Sequence, residues 1–154
     1  IEAGLLSAGQ DFTQTTTPFA VGLGRFIDFE KGDFVGRTAL MAADKTCRSW
    51  GIRVEGGTAV RGDKLEKSGQ PIGRVTSSTW SPFQICGVGI VHLNNTHLGP
   101  GAVVDVQCTD GKLHRGEICT LPMYDPKGEI VRGINKVIPT EPEPWAGIPV
   151  TAST

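Results

Sequence analysis

Ala102-Val103-Val104-Asp105-Val106-Gln107-Cys108-Thr109-Asp110-Gly111-Lys112-Leu113-His114-Arg115-Gly116-Glu117-Ile118-Cys119-Thr120-Leu121 is the stretch that decides the fold. Val103, Asp105 and Gln107 alternate with Val104, Val106 and Cys108, so a strand over 102–108 has one apolar face. Asp110-Gly111 suits the positive backbone angles of a tight hairpin turn. A return strand over 113–121 follows. Working back toward the amino terminus, the same pattern of short apolar runs between glycines predicts strands at 50–55, 71–77 and 84–92. Turns fall at Gly56-Gly57 and Gly99-Pro100-Gly101. Short strands at this spacing predict a mainly β fold, a small antiparallel barrel or sandwich over about 50–121. The 21 glycines and 10 prolines suit such a turn-rich chain.

The flanks read differently. Residues 19–29, FAVGLGRFIDF, are expected to be a strand or two, weakened by Gly22 and Gly24. Arg37 to Lys45 is the one convincing helix, with Leu40 and Ala43 facing a core and Asp33 stabilising its start. The tail from Asp125 to Thr154 holds five prolines, at 126, 139, 142, 144 and 149. That composition excludes a central strand and predicts an extended surface arm with Trp145 as an anchor. Three units result: 1–46, a strand-like segment and linker helix; 47–124, the barrel; and 125–154, the arm.

Composition narrows the function classes. With 154 residues, 38% hydrophobic and 20% charged, the chain is an ordinary globular one, and its formal charge of −1 argues against nucleic acid as a partner. No apolar run approaches the ~20 residues of a membrane span. Cys47, Cys86, Cys108 and Cys119 form no C-x-x-C pair and no zinc spacing, so free thiols in a reducing, cytoplasmic setting are expected. The chain starts at Ile1 without a signal-peptide pattern, which suggests a fragment or processed product.

Several short motifs fail on inspection. Gly22-Leu23-Gly24 has Ile27 where a dinucleotide fingerprint needs its third glycine. Arg61-Gly62-Asp63 reads as a plain turn. The Asn94-Asn95-Thr96 sequon carries weight only in a secreted protein. His92, His97 and His114 share no ligand spacing, and His92 reads as structural. No catalytic residue set emerges.

Six segments, in order, resemble the glycine-cleavage T-protein (aminomethyltransferase) family. They are Ile1-Glu2-Ala3-Gly4-Leu5 with Gly9-Gln10-Asp11; Thr17-Pro18-Phe19-Ala20-Val21-Gly22-Leu23; Lys31-Gly32-Asp33-Phe34-Val35-Gly36-Arg37-Thr38-Ala39-Leu40; Arg61-Gly62; Gly73-Arg74-Val75-Thr76-Ser77-Ser78-Thr79-Trp80-Ser81-Pro82; and Leu121-Pro122-Met123-Tyr124. Together they span residues 1–124 and resemble the family's carboxyl-terminal part, whose barrel domain agrees with the strand reading. Ala20 stands where the family usually has Glu, Ser78 where it has Gly, and the arm runs beyond the family's usual end.

The resemblance implies a tetrahydrofolate-dependent one-carbon transfer from a small aminomethyl or methyl donor. That donor is glycine-derived, or, given the departures, a methylamine, a methoxyaromatic or a methylsulfonium such as dimethylsulfoniopropionate. It implies Glu2 against the pterin, where a carboxylate accepts two parallel hydrogen bonds from an aminopyrimidine edge. It implies Lys31 on the folate glutamate tail as a point charge, and Tyr124 as the aromatic that closes the site. The Thr76-Ser77-Ser78 turn and Trp80 are expected to be structural. The family's catalytic acid lies in an amino-terminal half absent from this chain, so the chain alone is expected to be inactive. Two other readings of the resemblance are a folate-binding regulatory or assembly protein, and an accessory domain of a flavin-dependent amine oxidase. The first is disfavoured because Lys31-Gly32-Asp33-Phe34 stands where those relatives carry a cysteine motif. Finally, a strand at 19–29 would leave an unpaired apolar edge, which predicts a homodimer through those residues.

Overall fold

The computed structural model describes residues 1–94, 97–137 and 139–149; two residues of the sequon, Asn95 and Thr96, lie outside them. Six strands, β1 (Ser49–Val54), β2 (Lys64–Lys67), β3 (Gln70–Ser81), β4 (Cys86–Leu93), β5 (Val103–Gln107) and β6 (Leu113–Cys119), close into an antiparallel barrel in the order β1-β4-β3-β2-β5-β6. The β1–β6 pairing, Gly51 opposite Cys119 through Val54 opposite Gly116, completes the ring. The expected strands are all present within a few residues. β2 is the addition: Lys-Leu-Glu-Lys shows no apolar run, because only Leu65 of the four is buried. It nevertheless bridges β3 and β5.

Alternation explains the interior. Val104 and Val106 face inward from β5, as their spacing predicts, beside Ile52, Leu65, Val91 and Ile118. β4 is the exception to one-sided burial, being buried at seven of its eight positions. Val91 and Leu93 join the barrel interior, whereas Cys86 and Val88, of opposite parity, join a second cluster with Cys119 and Met123. That outer cluster is covered by Ile1, Leu121 and Trp145. The amino-terminal segment and the arm therefore both lie against the barrel wall. The continuous apolar run of β4 is the signature of a strand covered on both faces.

Three expectations need correction. Residues 19–29 form turns and a short 3-10 helix, Gly24–Phe26, rather than a strand. Gly22 takes φ +75°, and Leu23 N–H donates to Pro18 O, closing the chain on itself. Phe19 points inward at 8% exposure while Leu23 and Phe26 stay exposed, and residues 19–29 present no strand edge. The helix is shorter, Arg37–Ala42, and has no buried residue. Gly36 in the left-handed region is its N-cap, so Asp33 does not cap it. The arm is not extended at its start. Asp125 accepts from both Glu129 N–H and Ile130 N–H at 2.8 and 2.9 Å, curling 125–130 into a capped turn.

Candidate functional site

The Ile1-Glu2-Ala3-Gly4 turn is fixed by Gly4 N–H donating to Ile1 O, with Gly4 at φ +70°. A Cβ on Gly4 would lie 3.3 Å from Pro122 Cα, so glycine permits the turn to press against the Leu121-Pro122 segment. From the other side, Met123 N–H and Tyr124 N–H both donate to Glu2 O, at 2.8 and 3.2 Å. Two of the three expected site residues, far apart in sequence, are thereby clamped together. Glu2 Oε1 is sealed from solvent without a hydrogen-bond partner. A buried carboxylate oxygen left unpaired costs several kcal/mol in an apolar setting, on the order of 1–3 or more. Arg37 Nε and Gln84 Nε2 are likewise buried without a partner.

Tyr124 packs edge-on against Phe83 with ring centroids 4.9 Å apart. Partial burial, followed by the nearby carboxylates of Glu143, Asp125 and Glu2, raises its phenol pKa above the ordinary value. The hydroxyl therefore stays protonated and can donate. Lys31, the third expected residue, is not part of this group: it is exposed, with Nζ 4.5 Å from the Phe34 ring centroid.

The structure adds residues that the sequence reading missed. Arg53, a lone cation in an otherwise apolar strand, donates from Nε to Gln84 Oε1 at 2.7 Å and from Nη2 to Met123 O at 3.1 Å. Gln84 is 6% exposed, and its Nε2 is left without a partner. Its backbone is held by Ser81 Oγ, and its carbonyl accepts from Trp145 N–H at 2.8 Å. Ile148, 7% exposed, donates its N–H to Glu55 Oε1 at 2.8 Å. The arm thus returns to the barrel at Trp145 and Ile148. It walls a cleft of about 300 Å³, lined among others by Arg53, Phe83, Gln84, Tyr124, Glu143 and Trp145.

Asp11, also unremarked except as part of Gly9-Gln10-Asp11, is 5% exposed and fully engaged. It accepts from Thr76 Oγ1 at 2.5 Å, Ser77 Oγ at 2.8 Å and Ser7 N–H at 2.8 Å. Strand alternation would send Thr76 and Ser77 to opposite faces. A register shift between Val75 and Ser77 lets both hydroxyls reach one carboxylate. Thr76-Ser77-Ser78 is thus a bulged strand, not the expected turn. Expected hydroxyl-to-backbone contacts remain at Ser78, to Ala59 O at 2.8 Å, and at Thr76, whose Oγ1 lies 3.0 Å from Ile90 O. Trp80 is 44% exposed. His92 is half-buried, and burial, with Arg74 and Arg48 nearby, lowers its pKa and keeps it neutral.

All four cysteines are free. Burial raises the pKa of Cys86 and Cys119 to about 11, so neither is a nucleophile near neutral pH. Among the described residues there is no cluster able to hold a metal and no helix long and apolar enough to cross a membrane.

Residues 48–125 match the family model described as the glycine cleavage T-protein C-terminal barrel domain. The chain is similar to the aminomethyltransferase of Streptomyces coelicolor, 35% identical over 135 residues that make up 80% of this chain and 36% of that one. It is 41% identical over 131 residues to the aminomethyltransferase of Synechococcus sp. strain CC9902, again 80% of this chain and 35% of the relative. Among solved structures, the glycine cleavage system aminomethyltransferase T from Bartonella henselae aligns with a TM-score of 0.70 at 25% identity, covering 81% of this chain and 37% of that one. The chain therefore spans about a third of the length of these relatives.

Proposed function

Starting from the fact that the chain belongs to the glycine cleavage T-protein family and contains its carboxyl-terminal barrel, we propose that it supplies one wall of a tetrahydrofolate site. The protein to which it belongs then transfers a one-carbon unit from an aminomethyl, methylamine or methylsulfonium donor to tetrahydrofolate. The observation that carries this reading is Glu2 Oε1, buried and unpartnered within Glu-Ala-Gly-Leu and clamped to Tyr124. A pterin presents a ring N–H and an exocyclic amino group side by side, which is the donor pair such a carboxylate lacks. Glu2 would orient the ring, and Tyr124, protonated and backed by Phe83, would close over it. Lys31, exposed beside the Phe34 ring, would meet the negatively charged glutamate tail. Free thiols throughout the chain support work in the cytoplasm. The chain by itself would not catalyse the transfer.

Glu2→Ala in the full-length protein tests this. Removing the acceptor should weaken tetrahydrofolate binding by about 1–3 kcal/mol, read by calorimetry. Unchanged affinity would take Glu2 out of the site.

A further inference from the structure

The outer wall of the barrel carries a row of bases. Lys64 of β2 lies directly opposite Arg74 of β3, and Arg74 directly opposite His92 of β4. On its other side His92 faces Ser49 of β1, which follows Arg48. Directly opposed residues of an antiparallel pair share a face, and like charges there disfavour the pairing. Lys64 and Arg74 are exposed and His92 is half-buried, so the face is the outer one. Burial apart, the charges that act on the His92 ring are those of Arg74 and Arg48. Neither the Arg74 nor the His92 side chain has a hydrogen-bond or ion-pair partner among the described residues.

Arg74 and His92 line a pocket of about 340 Å³, and Thr13, Thr15, Thr16 and Thr17 line it with them. Two carboxylates also line it, equal in number to Arg48 and Arg74, but both are spent. Asp11 is sealed from solvent and accepts from Thr76, Ser77 and Ser7 N–H. Asp44 accepts from the amide and hydroxyl of Thr46 and from Arg48 Nη2 at 3.1 Å. An adjoining recess is lined by Arg61 and Arg74 and by no carboxylate. Arg74 is therefore the uncommitted charge. The threonines add neutral donors. Each hydroxyl holds one proton, and the Thr13–Thr15 and Thr13–Thr16 contacts use one apiece, which leaves protons to spare.

We propose that this pocket binds a phosphate dianion, free or carried on a small monoester, held by Arg74, His92 and the threonine hydroxyls. A guanidinium fork, an imidazole N–H and several hydroxyls are more donors than the two oxygens of one carboxylate can use, and a phosphate accepts from all of them. Seated there, the anion also relieves the repulsion along the row of bases. A concave pocket of about 340 Å³ suits a small ligand over the extended backbone of a nucleic acid. Neither Glu2 nor Tyr124 lines this pocket, so the site goes beyond the folate reading.

Methyl phosphate, inorganic phosphate and succinate can each be titrated into the chain at constant ionic strength, followed by calorimetry and by the histidine ring resonances in NMR. Both phosphates should bind saturably, at least about fivefold more tightly than succinate. The His92 resonances should move with binding. Those of His114, on β6 and outside both cavities, should not. Tighter binding of methyl phosphate assigns a carried phosphate, and equal or tighter binding of the inorganic ion assigns the free one. Arg74→Gln should weaken phosphate by about fivefold or more, and Arg74→Lys should restore part of the loss, keeping the charge without the fork. Arg74 is exposed and unpartnered, so its replacement leaves folding intact. Absence of saturable phosphate binding, unmoved His92 resonances, an unaffected Arg74→Gln variant or succinate binding as tightly would each overturn the proposal. So would a DNA oligonucleotide that displaces methyl phosphate at a lower concentration of phosphate groups. The titration contains no tetrahydrofolate, so its failure leaves the folate reading standing, and failure of that reading leaves this result intact.

Discussion

Asp11 shows how one buried charge can join two parts of the chain. Its carboxylate ties the segment that carries Glu2 to the bulge of β3 through two hydroxyls, and is itself steadied by the Ser7 amide of its own segment. Thr76 Oγ1 has one proton and two acceptors in reach, Asp11 Oδ1 at 2.5 Å and Ile90 O at 3.0 Å. The charged and closer acceptor takes it. Asp11→Ala leaves Thr76 Oγ1 with Ile90 O alone and takes from Ser77 Oγ its buried acceptor, and urea unfolding should show a loss of about 1–3 kcal/mol. A loss below about 0.5 kcal/mol would mean the contact carries no weight. His114 supplies a pH-dependent counterpart. Nδ1 bonds to Glu55 O and Nε2 to Asp110 Oδ2, both at 2.8 Å, so the doubly protonated ring satisfies both. The Asp110 hydrogen bond chiefly raises the His114 pKa above 6.5, and the His114 hydrogen bond chiefly lowers that of Asp110 below 3.8. The histidine's contribution to stability is complete below pH 6.5 and fades as pH rises through its raised value. The aspartate's is complete above pH 3.8 and fades as pH falls through its lowered value. The pair therefore supports the fold most between about pH 4 and 6.5. An NMR titration should place His114 above 6.5 in the native protein and return it toward that value in Asp110→Asn; a native value at or below 6.5 contradicts the pairing.

At the level of elements, the β3–β4 connection carries both strain and site. Ser81 caps it by accepting from Gln84 N–H, and it delivers Phe83 and Gln84 to the cleft. To do so it holds Ile85, a β-branched residue, at φ +51° while leaving half of its side chain exposed. Such a conformation costs on the order of 1–3 kcal/mol for a branched residue and little for glycine. Ile85→Gly should therefore stabilise the chain or leave it neutral despite the entropy that glycine adds to the unfolded state, as seen in a thermal melt. A clear destabilisation would show that Ile85 packs more than its exposure indicates. The same scale explains what the sequence made legible. Strands with one buried face, such as β5, announce themselves by alternation. β2 does not, since Leu65 is its single buried residue, and 19–29 misled because Phe19, Leu23, Phe26, Ile27 and Phe29 supply apolar content without a two-residue period. There the glycines at 22 and 24 decided for turns.

Across the molecule, the barrel was readable from spacing, while the site depended on contacts made between distant segments. Glu2 and Tyr124 could be named from motifs, yet nothing in the linear chain shows that the 121 positions between them close so that Tyr124 N–H meets Glu2 O. Arg53 and Gln84 carry no motif, because each matters through partners distant in sequence: each other, Met123 O and Trp145 N–H. The arm was legible as proline-rich but not as returning, since one tryptophan and one isoleucine, Trp145 and Ile148, anchor it. The resulting picture is a barrel with the buried, unpartnered Glu2 carboxylate oxygen held beside its last segment and a cleft walled by the returning arm. The most direct measurement of the central claim is a calorimetric titration of tetrahydrofolate into the full-length protein and, in parallel, into the 154-residue chain. The account predicts saturable binding to the full-length protein and weak or undetectable binding to the chain, which holds one wall of the site. Submicromolar binding to the chain alone, or none to the full-length protein, would contradict it.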